Sequence, residues 1–367
     1  MNIDKNINFA KSTNEPLMWV NPLKHGNLRI HGFHWIETDG LYRRLPMDSF
    51  EEIERTCSKI NSLATNTSGG QIHFLTNSEN LHIRVKLTSK VSIGLMTAAA
   101  QGGFDCYVGT SYDDLKFYNT SKFDPESIEY ESMLFERQPN KKLVVVNFPL
   151  YAGVAELLLG LDSRAWLVKP EGFDSHKKIV IYGTSITQGG CASRPGLSFP
   201  NILSRRMKRE FLNLGFSGNA FGEIEVARLV ARIDNVQLFV LDYEANGGTN
   251  GKLELTLKDF IETIRTKHPD TPIVVMSRIK YLFDDLNPNL NKRRGAIRIF
   301  QKNVVKQMSR NGDKFIFFLD GSKLTGKDYH EYTVDGVHPN DLGFMKIADG
   351  VEKHLTKILK NIGESHE

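Results

Sequence analysis

The chain is poor in cysteine, in charge of one sign and in long apolar runs. Its three cysteines, Cys57, Cys106 and Cys191, are odd in number and widely spread, so the sequence contains neither a disulfide framework nor a metal-ligand spacing. The net charge of +4 over 367 residues includes no basic block, so we expect no nucleic-acid partner. A run of about eighteen apolar residues, which a membrane-spanning helix needs, does not occur, and we expect no membrane partner.

Composition and length predict an ordinary globular protein with two domains. Residues 1–8 lack the apolar core of a secretion signal, which favours the cytoplasm. Hydrophobic residues make up 40% and charged residues 25% of the chain, as is typical of globular proteins. A chain of 367 residues is long for a single core. A brief break at residues 169–174 predicts domains over residues 1–173 and 174–367.

Short β-strand patterns fill the first half of the chain. Residues 71–75 and 81–87 flank a polar turn stretch, and the second of these runs alternates strictly between apolar and polar positions. Four further strands are predicted, at residues 91–96, 104–108, 142–148 and 156–160. One helix is expected at residues 48–58, with Ser49 and Glu52 as a possible capping box. Many short strands at this spacing predict an antiparallel, jelly-roll-like β-sandwich.

Aromatic and histidine side chains cluster early in this half, at His31, His34, Trp35 and Tyr42. One interpretation is a sugar-contacting aromatic face, and the other is packing in the core and at the sheet edges. Packing is the more common role of such residues. Nothing nearby completes a metal-ligand set around the two histidines.

Strands and helices alternate regularly in the second half. Strands are predicted at residues 179–182, 211–216, 237–243, 272–277 and 314–319. Helices are predicted at residues 199–209, 223–233, 253–267, 291–310 and 341–359. Nearly all-apolar strands separated by helices predict a parallel sheet that is covered on both faces. Right-handed crossovers then bring the carboxyl ends of the strands, and the polar residues that follow them, to one rim.

Ser185 stands just past the first of these strands, where open α/β sheets bind ligands. A serine at this place can be a simple helix N-cap, but a candidate base and its partner occur far downstream. Serine needs an adjacent base to become a nucleophile, and His338 is the best candidate. Asp335, three residues before it, could fix the tautomer of the imidazole. His330, beside Glu331, is the rival base.

Acyl transfer also needs hydrogen-bond donors for the developing oxyanion. The backbone N–H of Gly218, the side-chain amide of Asn246 and the N–H of Ser185 are candidates at the ends of successive strands. Taken singly, Gly218 and Asn246 could be ordinary turn residues. Asp242 could be a structural hydrogen-bonding residue beside the nucleophile loop, and Gln188 and Arg194 are weaker candidates for substrate contact.

These residues resemble the four blocks of the SGNH (GDSL-type) hydrolase superfamily. The matching segments, in chain order, are Gly183-Thr184-Ser185, Gly218-Asn219, Asn246 and Asp335-Gly336-Val337-His338. In the first half, Gly103-Phe104-Asp105-Cys106-Tyr107 is similar to the Gly-x-Asp-Leu-Tyr motif of the N-terminal β-sandwich in one branch, with Cys106 in place of leucine. Thr184 and Asn219 replace the aspartates that are usual in the first two blocks. The third block, which Asn246 ends, departs most from the family pattern.

The resemblance implies a flavodoxin-like three-layer α/β/α domain with a five-stranded parallel sheet, preceded by the sandwich. It implies a serine esterase without metal or other cofactor, with Ser185 as nucleophile and His338 as base. Asp335 would orient the base, and Ser185, Gly218 and Asn246 would form the oxyanion hole.

Three functions are compatible with these residues. The first is hydrolysis of a small-molecule, short-chain acyl ester, and the resemblance favours an acetyl group on a carbohydrate or glycoside. The second is transfer of the acyl group from serine to an acceptor hydroxyl in natural-product or glycan tailoring. The third, a sugar-binding protein with a decayed catalytic site, is disfavoured because Ser185, Asp335 and His338 are all present. The sequence does not predict the oligomeric state.

Overall fold

The computed structural model describes residues 16–138, 140–173 and 175–363. Within this part of the chain, two compact units are formed. The first consists of residues 16–46, 65–173 and 192–196, and the second of residues 47–64, 175–191 and 197–363. Residues 47–64 lie in the first half of the sequence but belong to the second unit. Residues 192–196 lie in the second half but belong to the first unit. The division of the chain at residue 173 stays a prediction.

The first unit is built from ten strands. They are β1 (Leu17–Val20), β2 (Arg29–His31), β3 (Gln71–Thr76), β4 (Leu81–Leu87), β5 (Asp105–Gly109), β6 (Lys116–Thr120), β7 (Glu129–Phe135), β8 (Lys142–Asn147), β9 (Val154–Asp162) and β10 (Leu167–Val168). Helices in this half of the sequence are α1 (Ile36–Asp39), α2 (Phe50–Leu63), which belongs to the second unit, and α3 (Ala98–Gly102).

The strands of the first unit form two antiparallel sheets. One has the order β1-β9-β4-β7, and the other has the order β10-β3-β8-β5-β6, with β2 paired to β3. Both sheets contribute to one apolar core, with Ile83 and Leu159 from the first and Phe74 and Val146 from the second. The alternation seen in the sequence places these side chains on the inner faces. The predicted antiparallel sandwich is confirmed.

Two local predictions in this half were wrong. Residues 91–96 form turns rather than a strand. The backbone there bonds to the side chain of Gln101, whose Oε1 accepts from the N–H groups of Ser92 and Ile93 and whose Nε2 donates to the carbonyls of Ile93 and Met96. Ser49 precedes α2, but its side chain makes no capping hydrogen bond, because the backbone at Ser49 is not extended (φ −99°, ψ 2°).

The early aromatic cluster supports the packing interpretation at Tyr42. This side chain is buried, and its ring lies 5.6 Å from that of Phe33 and 4.8 Å from that of Phe148. The rings of His34 and Trp35 contact each other edge-on at 4.8 Å.

The second unit contains five strands and most of the helices. The strands are β11 (Lys178–Gly183), β12 (Phe211–Gly215), β13 (Val236–Asp242), β14 (Ile273–Met276) and β15 (Ile316–Leu319). The helices that follow α3 in the chain are α4 (Ser185–Gln188), α5 (Phe199–Met207), α6 (Ile224–Ala231), α7 (Glu244–Gly247), α8 (Lys252–Arg265), α9 (Leu282–Leu286), α10 (Pro288–Arg310) and α11 (Asp341–Gly363). Short 3-10 turns lie at Pro22–Lys24, Met47–Ser49, Pro195–Leu197, Gly321–Lys323 and Tyr329–Tyr332.

The five strands form a parallel sheet with the order β12-β11-β13-β14-β15. Its central strands β11, β13 and β14 are buried almost throughout, as apolar strands covered by helices on both faces should be. The predicted flavodoxin-like α/β/α fold is confirmed. The strand order reverses between β11 and β13, and such a switch point opens a crevice at the carboxyl ends of the two strands.

Candidate active site

Ser185 begins α4 directly after β11, at the switch point of the sheet. Helix α4 is a single turn, and Gly189 ends it in the left-handed conformation. Ser185 is half-buried, and its Oγ lies 2.9 Å from Nε2 of His338. The hydroxyl therefore faces a second functional side chain rather than capping the helix.

His338 and Asp335 form the second and third members of a hydrogen-bonded chain. Nδ1 of His338 lies 2.8 Å from Oδ2 of Asp335. The other carboxylate oxygen of Asp335 accepts from the backbone N–H groups of Val337 and His338, at 3.0 and 2.7 Å. Since an ionised carboxylate only accepts, Nδ1 carries the proton and Nε2 is left as the acceptor for the Ser185 hydroxyl.

The charge of Asp335 is maintained at neutral pH. Burial raises the pKa of its carboxyl, but the hydrogen bonds from the His338 ring and from the N–H groups of His338 and Val337 outweigh this effect. The pKa of Asp335 consequently lies below its usual value. Asp335 can therefore hold the imidazole in one tautomer and stabilise an imidazolium.

The segment that carries His338 is a tight loop tied at both ends. The N–H of Val334 donates to the carbonyl of His338 at 2.8 Å, and Thr333 and Pro339 form a β-bridge. From outside the loop, the N–H of Leu282 donates to the carbonyl of Gly336 at 3.1 Å. The rival base His330 is not in this chain of bonds, and its ring lies 3.4 Å from the carboxylate of Glu331.

Gly218 lies in the turn after β12 with a φ of +69°, a conformation that favours glycine. The position that a Cβ would occupy has no heavy atom within 4 Å, so the residue borders open space. Within the described part of the chain, its backbone N–H makes no hydrogen bond. An unused N–H beside open space is suited to bind an oxyanion.

Asn246, in α7, contacts the same turn. Oδ1 of its amide accepts from the backbone N–H groups of Asn219 and Ala220, each at 3.1 Å. The opposite orientation would turn Nδ2 toward these two donors, with only a long 3.5 Å bond to the carbonyl of Phe216 in return, so we assign the first. Nδ2 is then turned away from the two N–H groups, on the side where it can act as a donor. Asn246 is therefore connected to the Gly218 turn, as its proposed role requires.

Two hydrogen bonds whose pairing the sequence did not predict support helix α4. Thr187 donates its hydroxyl to Oδ2 of Asp242 at 2.7 Å, and Oε1 of Gln188 accepts from the N–H of Ser217 at 3.0 Å. Asp242 is thus the structural hydrogen-bonding residue that the sequence left as an alternative. Gln188 is fully buried and connects α4 to the Gly218 turn. No spacing in the sequence signals these long-range pairs.

Burial raises the pKa of Asp242 to about 8, an effect that the nearby Glu244 carboxylate increases and the Thr187 hydroxyl opposes. Burial also raises the pKa of the Cys191 thiol to about 11, and the negative charge of Asp335 acts in the same direction. Cys191 is therefore a neutral thiol at pH 7 and not a competing nucleophile.

The residues that the structure describes contain no group of three or more His, Cys, Asp or Glu side chains placed to hold a metal ion. Over the same ranges, no helix has the length and apolarity needed to cross a lipid bilayer.

Comparison with solved structures identifies close architectural relatives. A Bacteroides ovatus protein assigned as a GDSL-like lipase is 30% identical, with a TM-score of 0.85 over 94% of this chain and 98% of that one. A salicylyl-acyltransferase from a tetracycline biosynthetic pathway is 21% identical, with a TM-score of 0.76 over 93% and 97%. A family two carbohydrate esterase from Clostridium thermocellum, solved with cellohexaose, is 14% identical, with a TM-score of 0.57 over 80% and 93%. The last two likenesses establish the fold alone.

Family models match both halves of the chain. The model of GxDLY, the N-terminus of SGNH-hydrolase-type esterases, matches residues 17–167. The model of the GDSL-like lipase/acylhydrolase family matches residues 176–356. A search of curated proteins found no match. The chain belongs to the GDSL-like lipase/acylhydrolase family, in the group that carries a GxDLY domain at the N-terminus.

Proposed function

We propose that this protein is a serine-dependent acyl-ester hydrolase that works through an acyl-serine intermediate. The observation that carries the proposal is the continuous chain of hydrogen bonds from Oγ of Ser185 through the His338 ring to Asp335. Serine, imidazole and carboxylate in this order are the parts that activate a hydroxyl nucleophile.

In the proposed reaction, Oγ of Ser185 attacks the ester carbonyl while its proton passes to Nε2 of His338. Collapse of the tetrahedral intermediate breaks the bond to the alcohol, which leaves with the proton from His338. Water then attacks the acyl-serine, again giving a proton to His338, and the carboxylic acid leaves as Ser185 regains its proton. Asp335 remains ionised throughout and stabilises the transient imidazolium.

The negative oxygen of each tetrahedral intermediate would be bound by the N–H groups of Ser185 and Gly218 and by Nδ2 of Asn246. The unused N–H of Gly218 and the assigned orientation of Asn246 support this arrangement. Each such donor is typically worth about 2.7–4 kcal/mol in the transition state.

As substrate we propose a short-chain ester, in particular an acetyl group on a carbohydrate or glycoside. Support comes from the structural likeness to family two carbohydrate esterases, one of which was solved with cellohexaose. The chemistry of Ser185 and His338 is the same for any acyl ester, so the substrate class rests on the resemblance.

An acyltransferase is the second candidate, favoured by the likeness to the salicylyl-acyltransferase over 93% of this chain. It would use the same acyl-serine and differ only in the second step, where an acceptor hydroxyl replaces water. The acceptor would give its proton to His338, and a new ester would leave.

Hydrolysis of p-nitrophenyl esters from acetate to octanoate, with Ser185→Ala as control, tests both candidates. The esterase predicts fast multiple turnover on acetate that declines with chain length and is absent in the control. A single stoichiometric burst on the wild type, followed by turnover only when an alcohol is added, would favour the acyltransferase. Equal rates in wild type and control would refute both.

A further inference from the structure

Residues 192–196, which follow helix α4 in the chain, are part of the first unit. We call this segment the anchor segment. Arg194 donates from one guanidinium nitrogen to Oδ2 of Asp105 and to the hydroxyl of Tyr107, each at 2.7 Å. The N–H of Gly196 donates to the same oxygen of Asp105 at 2.7 Å. At the other end, the hydroxyl of Thr97 donates to the carbonyl of Ser193 at 2.6 Å.

The contact between Arg194 and Asp105 is largely closed to solvent. The side chain of Asp105 is fully buried and that of Arg194 is 16% exposed. The guanidinium also lies over the ring of Phe117, 3.7 Å from its centroid. A desolvated, stacked arginine that bonds a carboxylate is held in one geometry far more firmly than an exposed ion pair is.

Asp105 is itself oriented by a buried row of amides. Its other oxygen, Oδ1, accepts from Nδ2 of Asn147 at 2.6 Å, and Oδ1 of Asn147 accepts from Nε2 of Gln71 at 2.9 Å. Oε1 of Gln71 then lies 3.1 Å from Nε2 of His73. Because the carboxylate can only accept, every amide in the row has a fixed orientation, and Nε2 of His73 must be the donor. The oxygen that binds Arg194 and Gly196 cannot swing away without breaking this row.

Asp105 and Tyr107 are the Asp and Tyr of the Gly-x-Asp-Leu-Tyr-like motif, which has no part in the proposed chemistry. We propose that this motif is a clamp on the nucleophile loop, with Asp105 and Arg194 as positioning residues for Ser185. The inference rests on the proposed function of Ser185.

The chain geometry explains why a clamp is needed. The loop from β11 to α5 carries Ser185 on a single helical turn, followed by Gly189 and Gly190. Near its start the loop is held by the hydrogen bonds of Thr187 and Gln188. Further along, the hydrogen bonds of the anchor segment hold it. Without the clamp, a small shift of α4 would lengthen the 2.9 Å contact between Ser185 and His338. Misplacement by about 1 Å can reduce a rate by about 100-fold.

The rate at which a small fluorophosphonate modifies Ser185 measures this positioning directly. In the reaction, the bond from Oγ to phosphorus forms while the hydroxyl proton passes to Nε2 of His338, the bond from phosphorus to fluorine breaks, and fluoride leaves. The reagent is small and uncharged, so it reports on the nucleophile rather than on substrate contacts of Arg194.

The variants are Arg194→Ala and Asp105→Asn, with Arg84→Ala as the matched control. Arg84 is also an arginine of the first unit that bonds a carboxylate, that of Glu131 at 2.9 Å, and stacks on a ring, that of Trp19 at 4.2 Å. We expect Arg194→Ala to be modified about 10–100-fold more slowly than the wild type, with a lower kcat for p-nitrophenyl acetate. Millimolar guanidinium should restore part of the rate, whereas Arg84→Ala should match the wild type.

The modification rate of each variant either supports the clamp or overturns it. Wild-type modification in a folded Arg194→Ala protein, with only KM changed, would overturn the clamp and make Arg194 a substrate contact. If Arg194→Ala does not fold, Tyr107→Phe removes the hydroxyl that accepts from Arg194, and we expect a smaller decrease; a wild-type rate there would overturn the proposal. Failure of the reagent to modify the wild type at all would instead refute Ser185 as nucleophile.

Discussion

Replacing Asp335 with asparagine should reverse the tautomer of His338. One oxygen of Asp335 accepts from two backbone N–H groups and the other from Nδ1 of His338. An asparagine in this place must keep its oxygen toward the two N–H donors, so its Nδ2 faces His338. Nδ1 then becomes an acceptor, and the ring proton moves to Nε2. The imidazole can no longer accept the proton of Ser185.

Asp335→Asn should lower kcat because the imidazole no longer acts as a base. A wrong tautomer in a serine, histidine and aspartate triad costs about 10⁴-fold in kcat, which corresponds to about 5 kcal/mol of transition-state stabilisation. Asp335→Ala should be less damaging, because alanine imposes no tautomer and lets the ring return to the productive one. The predicted order of kcat is therefore wild type, then alanine, then asparagine.

Steady-state hydrolysis of p-nitrophenyl acetate measures this order. Asp328→Asn is the control, since Asp328 is an exposed aspartate nearby whose side chain makes no capping hydrogen bond. Thermal melting should show all three variants folded. An asparagine variant more active than the alanine variant, or within about tenfold of the wild type, would refute the tautomer argument.

Three other predictions concern stability and metal dependence. Asp242 binds its proton more tightly when folded, with a pKa of about 8, so its burial should cost stability increasingly as pH rises from about 4 to 8. Asp242→Asn should reduce the fall in unfolding free energy between pH 5 and pH 9 by about 4 kcal/mol, measured by urea denaturation, and an equal fall in the two proteins would refute this expectation. Gly218→Ala should lower the free energy of unfolding by about 1–2 kcal/mol through its positive φ alone, and an unchanged urea midpoint would contradict the left-handed turn. EDTA should leave esterase activity unchanged, and a loss reversed by added metal would contradict a metal-independent mechanism.

The parallel sheet was predictable because its strands are buried on both faces and therefore read as continuous apolar runs. Their predicted bounds differ from β11 to β15 by only one or two residues at each end. The candidate triad could also be predicted from the sequence, since Asp335 and His338 are neighbours in sequence and Ser185 follows a strand end. The topology of parallel sheets then brings these places together.

Residues 91–96 show where apolar content misleads. Ile93 and Leu95 are exposed, and only Met96 is buried. The backbone there is satisfied by one side chain, that of Gln101, instead of by a neighbouring strand. Strand β6 was not predicted, because its residues are mostly exposed and show no alternation of apolar and polar positions.

The sequence offered Asp242 as a structural hydrogen-bonding residue, but it could not predict which polar residues pair over long range. The bonds of Arg194 to Asp105 and of Thr187 to Asp242 join residues far apart in sequence. Each partner alone is an ordinary polar residue, and no periodicity marks it. The orientation of the Asn246 amide likewise depends on two N–H groups of a turn in another part of the chain.

The site of acylation tests most directly whether Ser185 is the nucleophile. The protein is mixed with p-nitrophenyl acetate, quenched in acid within a turnover, digested and analysed by mass spectrometry, with Ser185→Ala in parallel. If Ser185 is the nucleophile, one acetyl group is expected on the peptide that contains Ser185, at Ser185 itself, and none in the variant. Turnover without an adduct in the wild type, or an adduct on another residue that persists in Ser185→Ala, would contradict it.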